Sequence, residues 1–241
     1  MTATDFSKGV KGLIFDYGGT LDTGGEHWSW VIYRAWQKAG VDVALPVFRE
    51  AYVYAERELA RTRHILPEHD FHDMLKIKIN IELQWLAQQG EFPPEEVGPV
   101  AEKIAAICND EARRHVEAAA PVLAALAGKY PMVLVSNFYG NISTVLETYG
   151  VKQYFRKIIE RAVVGVRKPD PKIFTLGVEA LELKPEECVV VGDSYRKDIE
   201  PALKAGCKAI WIKGPGWSGE EDRTQYEPTI ENLQELTKIL L

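Results

Sequence analysis

The sequence is poor in cysteine, in positive charge and in long apolar runs, and each shortage excludes a class of protein. Its three cysteines, Cys108, Cys188 and Cys207, lack metal-ligand spacing and are odd in number, so we expect reduced thiols in a cytoplasmic protein. Acidic residues outnumber basic ones, 35 against 29, which argues against a nucleic-acid-binding protein because those usually carry a basic face. No apolar run is long enough for a membrane span, and MTATDFSKGV at the N-terminus contains no apolar signal segment, so we expect no membrane partner.

Five short apolar runs, rich in valine and isoleucine and without alternation, predict buried strands. They are VKGLIFD (10–16), MVLVSN (132–137), YFRKIIE (154–160), ECVVVGD (187–193) and KAIWIK (208–213). Helical patterns separate the later runs; one of them opens with Asp170 as a candidate N-cap and Pro171 at the first helical position. Alternation of strands and helices predicts an α/β fold in which helices cover both faces of a parallel sheet.

The segment between the first two strands is different in kind. It contains amphipathic helical patterns and no strand pattern over about 95 residues, which is too long for a simple crossover. We therefore predict an inserted helical cap at 24–118 and a core formed by 1–23 and 119–241. A last amphipathic helix is predicted at 229–241, after a loop rich in glycine and proline.

Polar residues stand at the carboxyl ends of the predicted strands. The residues concerned are Asp16 after the first strand, Ser136 and Asn137 at the second, Lys168 after the third, and Asp193 at the fourth, followed by Asp198. Ligands of open parallel sheets bind outside the carboxyl ends of the strands, where the strand order reverses. If the first strand is central, with the second and fourth beside it, these side chains converge on one crevice.

Four segments, DYGGT, SN, RKPDPKIF and GDSYRKD, resemble in this order the four motifs of the haloacid dehalogenase (HAD) superfamily. The resemblance covers about 10–23 and 119–241, and the helical insert falls where this superfamily carries its first-type cap. It implies a Rossmann-like core of five parallel strands in the order 3-2-1-4-5. For most members it also implies Mg²⁺-dependent phosphoryl transfer through an aspartyl-phosphate intermediate.

The resemblance implies a role for each matching position. Asp16 would be the nucleophile; the implied Mg²⁺ ligands are Asp16, the backbone carbonyl of Gly18, Asp193 and Asp198. Phosphate oxygens would be held by Thr20, Ser136, Asn137 and Lys168, and Lys168 would also neutralise the nucleophile. Such cations are needed because a carboxylate and a phosphate dianion repel each other, and catalysis of phosphoryl transfer is mainly positioning and electrostatic stabilisation.

The chain departs from the phosphatase pattern at Gly18. Phosphatases of the superfamily usually have a second aspartate there, which protonates the leaving alcohol and then activates water. General acid–base catalysis typically contributes about 10²- to 10⁴-fold in rate. Three explanations are open: Asp22, His27 or Tyr17 replaces the missing acid, the substrate has a good leaving group, or the protein binds phosphate without turnover.

We therefore expect a Mg²⁺-dependent phosphohydrolase that acts on a small phosphorylated metabolite. The alternatives are a non-catalytic phosphate-binding or regulatory protein, and a phosphonate hydrolase or dehalogenase. Dehalogenases do not use Mg²⁺, so the acids of GDSYRKD count against that branch; phosphonate cleavage needs a cap lysine that forms a Schiff base, for which the sequence offers Lys38, Lys76 and Lys78. Where the insert leaves the core, we expect substrate contacts from Glu26, His27 and Trp28.

Overall fold

The protein is built on a parallel sheet of six strands, as seen in a computed structural model that describes residues 6–241 apart from the side chain of Asp222. The strand order is β3-β2-β1-β4-β5-β6. The strands are β1 (Gly12–Phe15), β2 (Met132–Ser136), β3 (Lys157–Glu160), β4 (Cys188–Gly192), β5 (Lys208–Ile212) and β6 (Thr229–Ile230). The predicted α/β class and the order 3-2-1-4-5 are confirmed, with one strand added at the edge.

Every regular element that the structure describes between β1 and β2 is helical. The α-helices there are α1 (Trp28–Ala39), α2 (Leu45–Arg61), α3 (Phe71–Gln88) and α4 (Val97–Ala127). The later helices are α5 (Ile142–Thr148), α6 (Arg161–Val164), α7 (Lys172–Leu181), α8 (Glu200–Lys204) and α9 (Glu235–Leu240). The division into a cap at 24–118 and a core remains a prediction, and its second boundary falls inside α4.

The sixth strand corrects two predictions, the count of five strands and a helix starting at residue 229. Trp211 and Ile212 of β5 lie opposite Thr229 and Ile230 of β6, and the Lys213 N–H donates to the Ile230 carbonyl at 2.9 Å. These β-branched residues satisfy the free edge of β5, a stretch too short to give a readable strand pattern. The helix therefore starts six residues later, at Glu235.

Local sequence determines where the two helices nearest the sheet begin. The His27 side chain caps α1 by accepting from the Ser29 N–H at 3.2 Å. At the start of α3, Asp70 accepts from the Asp73 N–H at 2.9 Å, and the Asp73 side chain accepts from the Asp70 N–H in return. Both caps satisfy helix N–H groups that have no partner within the helix.

Alternate side chains of β1 enter hydrophobic cores on opposite faces of the sheet. Leu13 and Phe15 pack in a core that continues into the helices inserted after β1. Ile14 packs in a second core with Phe174 and Val178 of α7. Because both faces are covered, the open side of β1 is its carboxyl end. Within residues 6–241, we find no helix with both the length and the apolarity needed to span a membrane.

Candidate active site

The carboxyl ends of β2, β1 and β4, which are neighbours in the sheet, bring the predicted site residues together. Asp16 follows β1 directly, and its backbone N–H donates to Val191 of β4 at 2.9 Å. Ser136 is the last residue of β2, and Asp193 follows β4. Asp16 and Ser136 are buried, and all three residues line one cavity.

Lys168 is the cation at the centre of this site. Its ammonium group, 3% exposed, lies 2.6 Å from Asp16 Oδ1 and 2.7 Å from Asp198 Oδ1. Burial alone would lower the pKa of Lys168, but the carboxylates of Asp16 and Asp198 outweigh it and raise the pKa, so the ammonium form is retained.

Asn137 positions the backbone of Lys168. Its side-chain amide donates to the Lys168 carbonyl at 3.0 Å, and its Oδ1 accepts from the Lys168 N–H at 2.9 Å. The sequence predicted a phosphate contact from the backbone amide of Asn137; the structure adds this second task for its side chain. A side chain that clamps a segment 31 residues away has no signature in the sequence.

Three carboxylates form the acidic cluster of the site. Oxygens of Asp16, Asp193 and Asp198 lie within 4.8 Å of one another. Partial burial, reinforced by Asp198 and Asp16, raises the pKa of Asp193 well above its ordinary value, and burial raises the pKa of Asp198 to about 6. A single buried ammonium for three carboxylates leaves a deficit of positive charge, and the donors are all hard oxygens. The cluster therefore fits Mg²⁺, which prefers such ligands.

Two glycines allow the strand-end loops to approach these carboxylates. Gly19 has φ +95°, and a Cβ at this position would lie within 3 Å of the Asp193 carboxylate. A Cβ on Gly192 would likewise collide with Asp198. Gly18 differs from both, because its φ is not positive and the nearest atom to an added Cβ is Trp28 Cδ1 at 4.0 Å. Position 18 therefore has room for a side chain.

Asp22, predicted as a replacement acid, lies behind the loop. It is fully buried, and burial raises its pKa to about 8. Its Oδ1 accepts from the Gly19 N–H at 2.7 Å and its Oδ2 from the Trp28 indole at 3.0 Å. Asp22 is not among the residues that line the cavity, so its contacts favour a role in shaping the loop. Tyr17 is also fully buried away from the cavity.

Thr20 is directed at a carboxylate. Its hydroxyl, which is fully buried, donates to Asp193 Oδ1 at 3.0 Å, and Thr20 does not line the cavity. A phosphate contact from Thr20 therefore stays a prediction, whereas its hold on Asp193 is present in the structure.

The cavity has a volume of about 160 Å³ and lies between the strand ends and helices α1 to α3. On the side of the sheet it is lined by the residues described above. The opposite wall is mostly aromatic and aliphatic, with His27, Trp28, Tyr52, Phe71, Met74, Leu75, Phe138 and Tyr139. Two of the three residues predicted at the exit of the insert, His27 and Trp28, thus face the cavity, while Glu26 pairs with Arg34.

Sequence reasoning missed four polar residues of the cavity wall. They are Glu56, Lys78, Tyr139 and Lys197. Lys78 carried one available signal, since it falls on the buried face of α3 together with Leu75 and Ile79, where the helical pattern calls for an apolar residue.

The cap histidines make local contacts. His64 lies 2.9 Å from Glu58, His69 accepts from the Leu66 N–H at 3.1 Å, and His72 lies 3.1 Å from Glu102. None of the three lines the cavity with the acidic cluster.

These features define a class of protein: a Rossmann-like α/β fold with a helical insertion after β1 and an acidic cluster paired with a lysine at the strand ends. The family model of haloacid dehalogenase-like hydrolases matches residues 10–206. The chain belongs to this family and is a hydrolase by that membership.

Comparisons with individual proteins add relatives of known activity. The chain is similar to a phosphoserine phosphatase from Thermus thermophilus, with 36% identity over 87 residues, 36% of this chain and 34% of the relative. It is 38% identical over 74 residues to a glyceraldehyde 3-phosphate phosphatase from Methanopyrus kandleri, 31% of this chain and 32% of the relative. The chain thus spans about a third of the length of the curated relatives it matches.

A solved dehalogenase structure matches the fold over nearly the whole chain. The TM-score is 0.64 at 15% sequence identity, covering 97% of this chain and 98% of the other. Likeness at this level of identity establishes the fold and does not choose between phosphatase and dehalogenase chemistry.

Proposed function

We propose that the protein is a Mg²⁺-dependent phosphohydrolase that acts on a small phosphorylated metabolite, with Asp16 as nucleophile. The observation that carries the proposal is the arrangement of Asp16, Asp193 and Asp198 around Lys168 at the end of β1. The short regions of similarity to two phosphatases support the same class of substrate. A cavity of about 160 Å³ suits a metabolite.

The geometry gives Asp16 its role. Lys168 holds Oδ1 of Asp16 at 2.6 Å, which orients the carboxylate at the cavity. Asp16 attacks the phosphorus atom of the ester, the bond between phosphorus and the leaving oxygen breaks, and the phosphoryl group becomes attached to Asp16. Water then attacks this aspartyl phosphate, which releases inorganic phosphate and restores the carboxylate.

Charge neutralisation makes the attack possible. Lys168 offsets the charge of Asp16 and of the transferring group. Mg²⁺ would be held by Asp16, the carbonyl of Gly18, Asp193 and Asp198, and when bound it supplies the positive charge that the acidic cluster lacks. Ser136 and the backbone amide of Asn137 lie at the end of β2, where they bind phosphate oxygens.

The proton for the leaving oxygen has no donor at position 18. With Gly18 in that place, solvent protonates the leaving group, and esters with acidic leaving groups react fastest. The same feature favours one other candidate function, a phosphate-binding protein without turnover.

The remaining branches receive less support. Lys78 is the one cap lysine of the three considered that lines the cavity. Burial opposes its charge, but Glu56 outweighs that effect and raises the pKa of Lys78 well above its ordinary value, whereas Schiff-base formation needs the free amine. Dehalogenase chemistry would leave the acidic cluster without a purpose.

Hydrolysis of p-nitrophenyl phosphate tests the proposal, measured with Mg²⁺, with EDTA and in an Asp16→Asn variant. The aryl leaving group needs little protonation, so the assay isolates the nucleophile and the metal from the missing acid. We expect turnover that is lost with EDTA and in Asp16→Asn. A folded protein that binds Mg²⁺ but shows no turnover would favour the phosphate-binding protein, and turnover that persists in EDTA would refute the metal dependence.

A further inference from the structure

The wall of the cavity opposite the acidic cluster contains a buried ion pair. Lys78 of α3 is 4% exposed and donates to Oε1 of Glu56 on α2. Its ammonium also lies 3.9 Å from the centre of the Tyr52 ring, a cation–π contact. Glu56, Lys78 and Tyr52 all line the cavity. Burying a charged pair is unfavourable unless it is well paired, so its place in a cavity wall calls for an explanation.

Glu56 presents a free oxygen to the cavity. Its Oε1 accepts from Lys78 and from the Tyr139 hydroxyl, the latter at 2.9 Å, whereas Oε2 has no hydrogen-bond partner in residues 6–241. The Glu56 side chain is 39% exposed, against 5% for Lys78. Burial opposes its ionisation, but Lys78 and Tyr139 outweigh that effect and lower the pKa of Glu56. The result is an oriented carboxylate with one acceptor oxygen open to a ligand.

The charges around the cavity restrict what this acceptor can bind. The negative residues are Asp16, Glu56, Asp193 and Asp198, and the positive ones are Lys78, Lys168 and Lys197. Four carboxylates against three ammonium groups leave one negative charge. A divalent cation and a phosphate dianion cancel each other, so the filled site still carries no surplus positive charge for a second anion. A carboxylate or second phosphate on the substrate would be repelled.

We propose that Glu56 Oε2 accepts a hydrogen bond from a hydroxyl or ammonium group on the organic half of the substrate. The substrate class is a short phosphomonoester whose organic half carries such a donor and no second anionic group. The inference rests on the proposed function for the phosphate end of the site. Tyr139 and Lys78 hold Glu56 in place for this contact.

Calorimetric binding to the full chain with Mg²⁺ tests the inference in an Asp16→Asn background, which prevents turnover. The probes are glycerol 1-phosphate, ethanolamine phosphate and propyl phosphate, which share the phosphate but differ in the donor. We expect the better of the two donor-bearing esters to bind about 10- to 100-fold tighter than propyl phosphate, as a hydrogen bond to a charged group provides. Which of the two binds tighter identifies the donor.

Substitutions then assign the preference to Glu56. Adding Glu56→Gln should bring the ratio of dissociation constants close to one. Since this change leaves the Lys78 ammonium buried without its partner, the double variant Glu56→Gln/Lys78→Met repeats the test without an unpaired charge. Glu50→Gln, an exposed glutamate on the same helix, is the matched control and should keep the ratio of the parent.

Three results would overturn the inference: propyl phosphate binding as tightly as both other esters, a ratio that survives both Glu56 substitutions, or 3-phosphoglycerate binding tighter than glycerol 1-phosphate. Turnover of p-nitrophenyl phosphate by the unmodified chain is measured in parallel. Its absence would refute the proposed hydrolysis, while the binding ratios would still decide the role of Glu56.

Discussion

Restoring a carboxylate at position 18 should convert the protein into a faster phosphatase for esters with poor leaving groups. An added Cβ at Gly18 meets nothing closer than Trp28 Cδ1 at 4.0 Å, and the backbone there has no positive φ, so Gly18→Asp should fold without strain. Gly18 lines the cavity with Asp16, two residues away, so the new side chain starts beside the nucleophile. Proximity to Asp16 should raise the pKa of the new acid, which favours the protonated form that a general acid needs.

The expected gain follows from the size of general acid–base catalysis. For an alkyl phosphate such as propyl phosphate, kcat should rise about 10²- to 10⁴-fold, or about 3 to 5 kcal/mol in the barrier. For p-nitrophenyl phosphate, whose leaving group needs little protonation, the gain should be far smaller. The measured quantity is therefore the ratio of kcat for the alkyl ester to kcat for the aryl ester, in wild type and Gly18→Asp.

Gly18→Asn is the control, because it has the size of aspartate and cannot donate a carboxyl proton. Its ratio should stay near that of the wild type. If Gly18→Asp folds and binds Mg²⁺ but leaves the ratio unchanged, the missing acid is not what limits the enzyme. A wild-type protein that already hydrolyses both esters at similar rates would show that another group supplies the proton.

Three further changes test the site and its surroundings. Gly19→Ala places a Cβ against the Asp193 carboxylate at a left-handed residue; we expect a folded protein with at least tenfold weaker Mg²⁺ binding by calorimetry, and unchanged binding would contradict the close approach. Glu82, fully buried without partners for either oxygen, has its pKa raised by burial from 4.5 to about 8, so the folded chain keeps a proton that the unfolded chain loses, and stability falls as pH rises through this range. Glu82→Gln should remove that fall and be more stable by up to about 4 kcal/mol at pH 7.5, as urea unfolding at pH 5 and 7.5 can show; a pH-independent difference would refute it. Borohydride with a phosphonoaldehyde should not trap Lys78, whose ammonium is held by Glu56; a mass increase on Lys78 would revive the phosphonate branch.

The strand-end residues could be predicted because each one breaks a simple pattern. A carboxylate such as Asp16 at the end of an apolar strand has few structural reasons to be there, and parallel strands bring their ends to one edge. The order of the strands then placed Asp193 beside Asp16 without knowledge of any side-chain contact. The sixth strand was beyond prediction because two residues, Thr229 and Ile230, show no period.

The opposite wall of the cavity could not be predicted, for a physical reason. Helical periodicity tells which side of α2 and of α3 is apolar, but it does not tell which helix lies opposite or in what register. Glu56 and Lys78 are 22 residues apart, and their pairing exists only once α2 and α3 have packed. The clamp of Asn137 on Lys168 depends in the same way on the fold.

The cavity contains no obvious replacement for the acid missing at position 18, and this shapes the chemistry to expect. His27 lines the cavity, but burial, together with Lys197 and Lys78, lowers its pKa to about 3, so it is neutral at physiological pH, with its Nδ1 already accepting from the Ser29 N–H. Glu56 is kept ionised by Lys78. Asp22 does hold a proton near neutral pH, yet both of its oxygens are engaged behind the loop. A phosphohydrolase with this site transfers the phosphoryl group through well-placed charges, and the leaving group determines its rate.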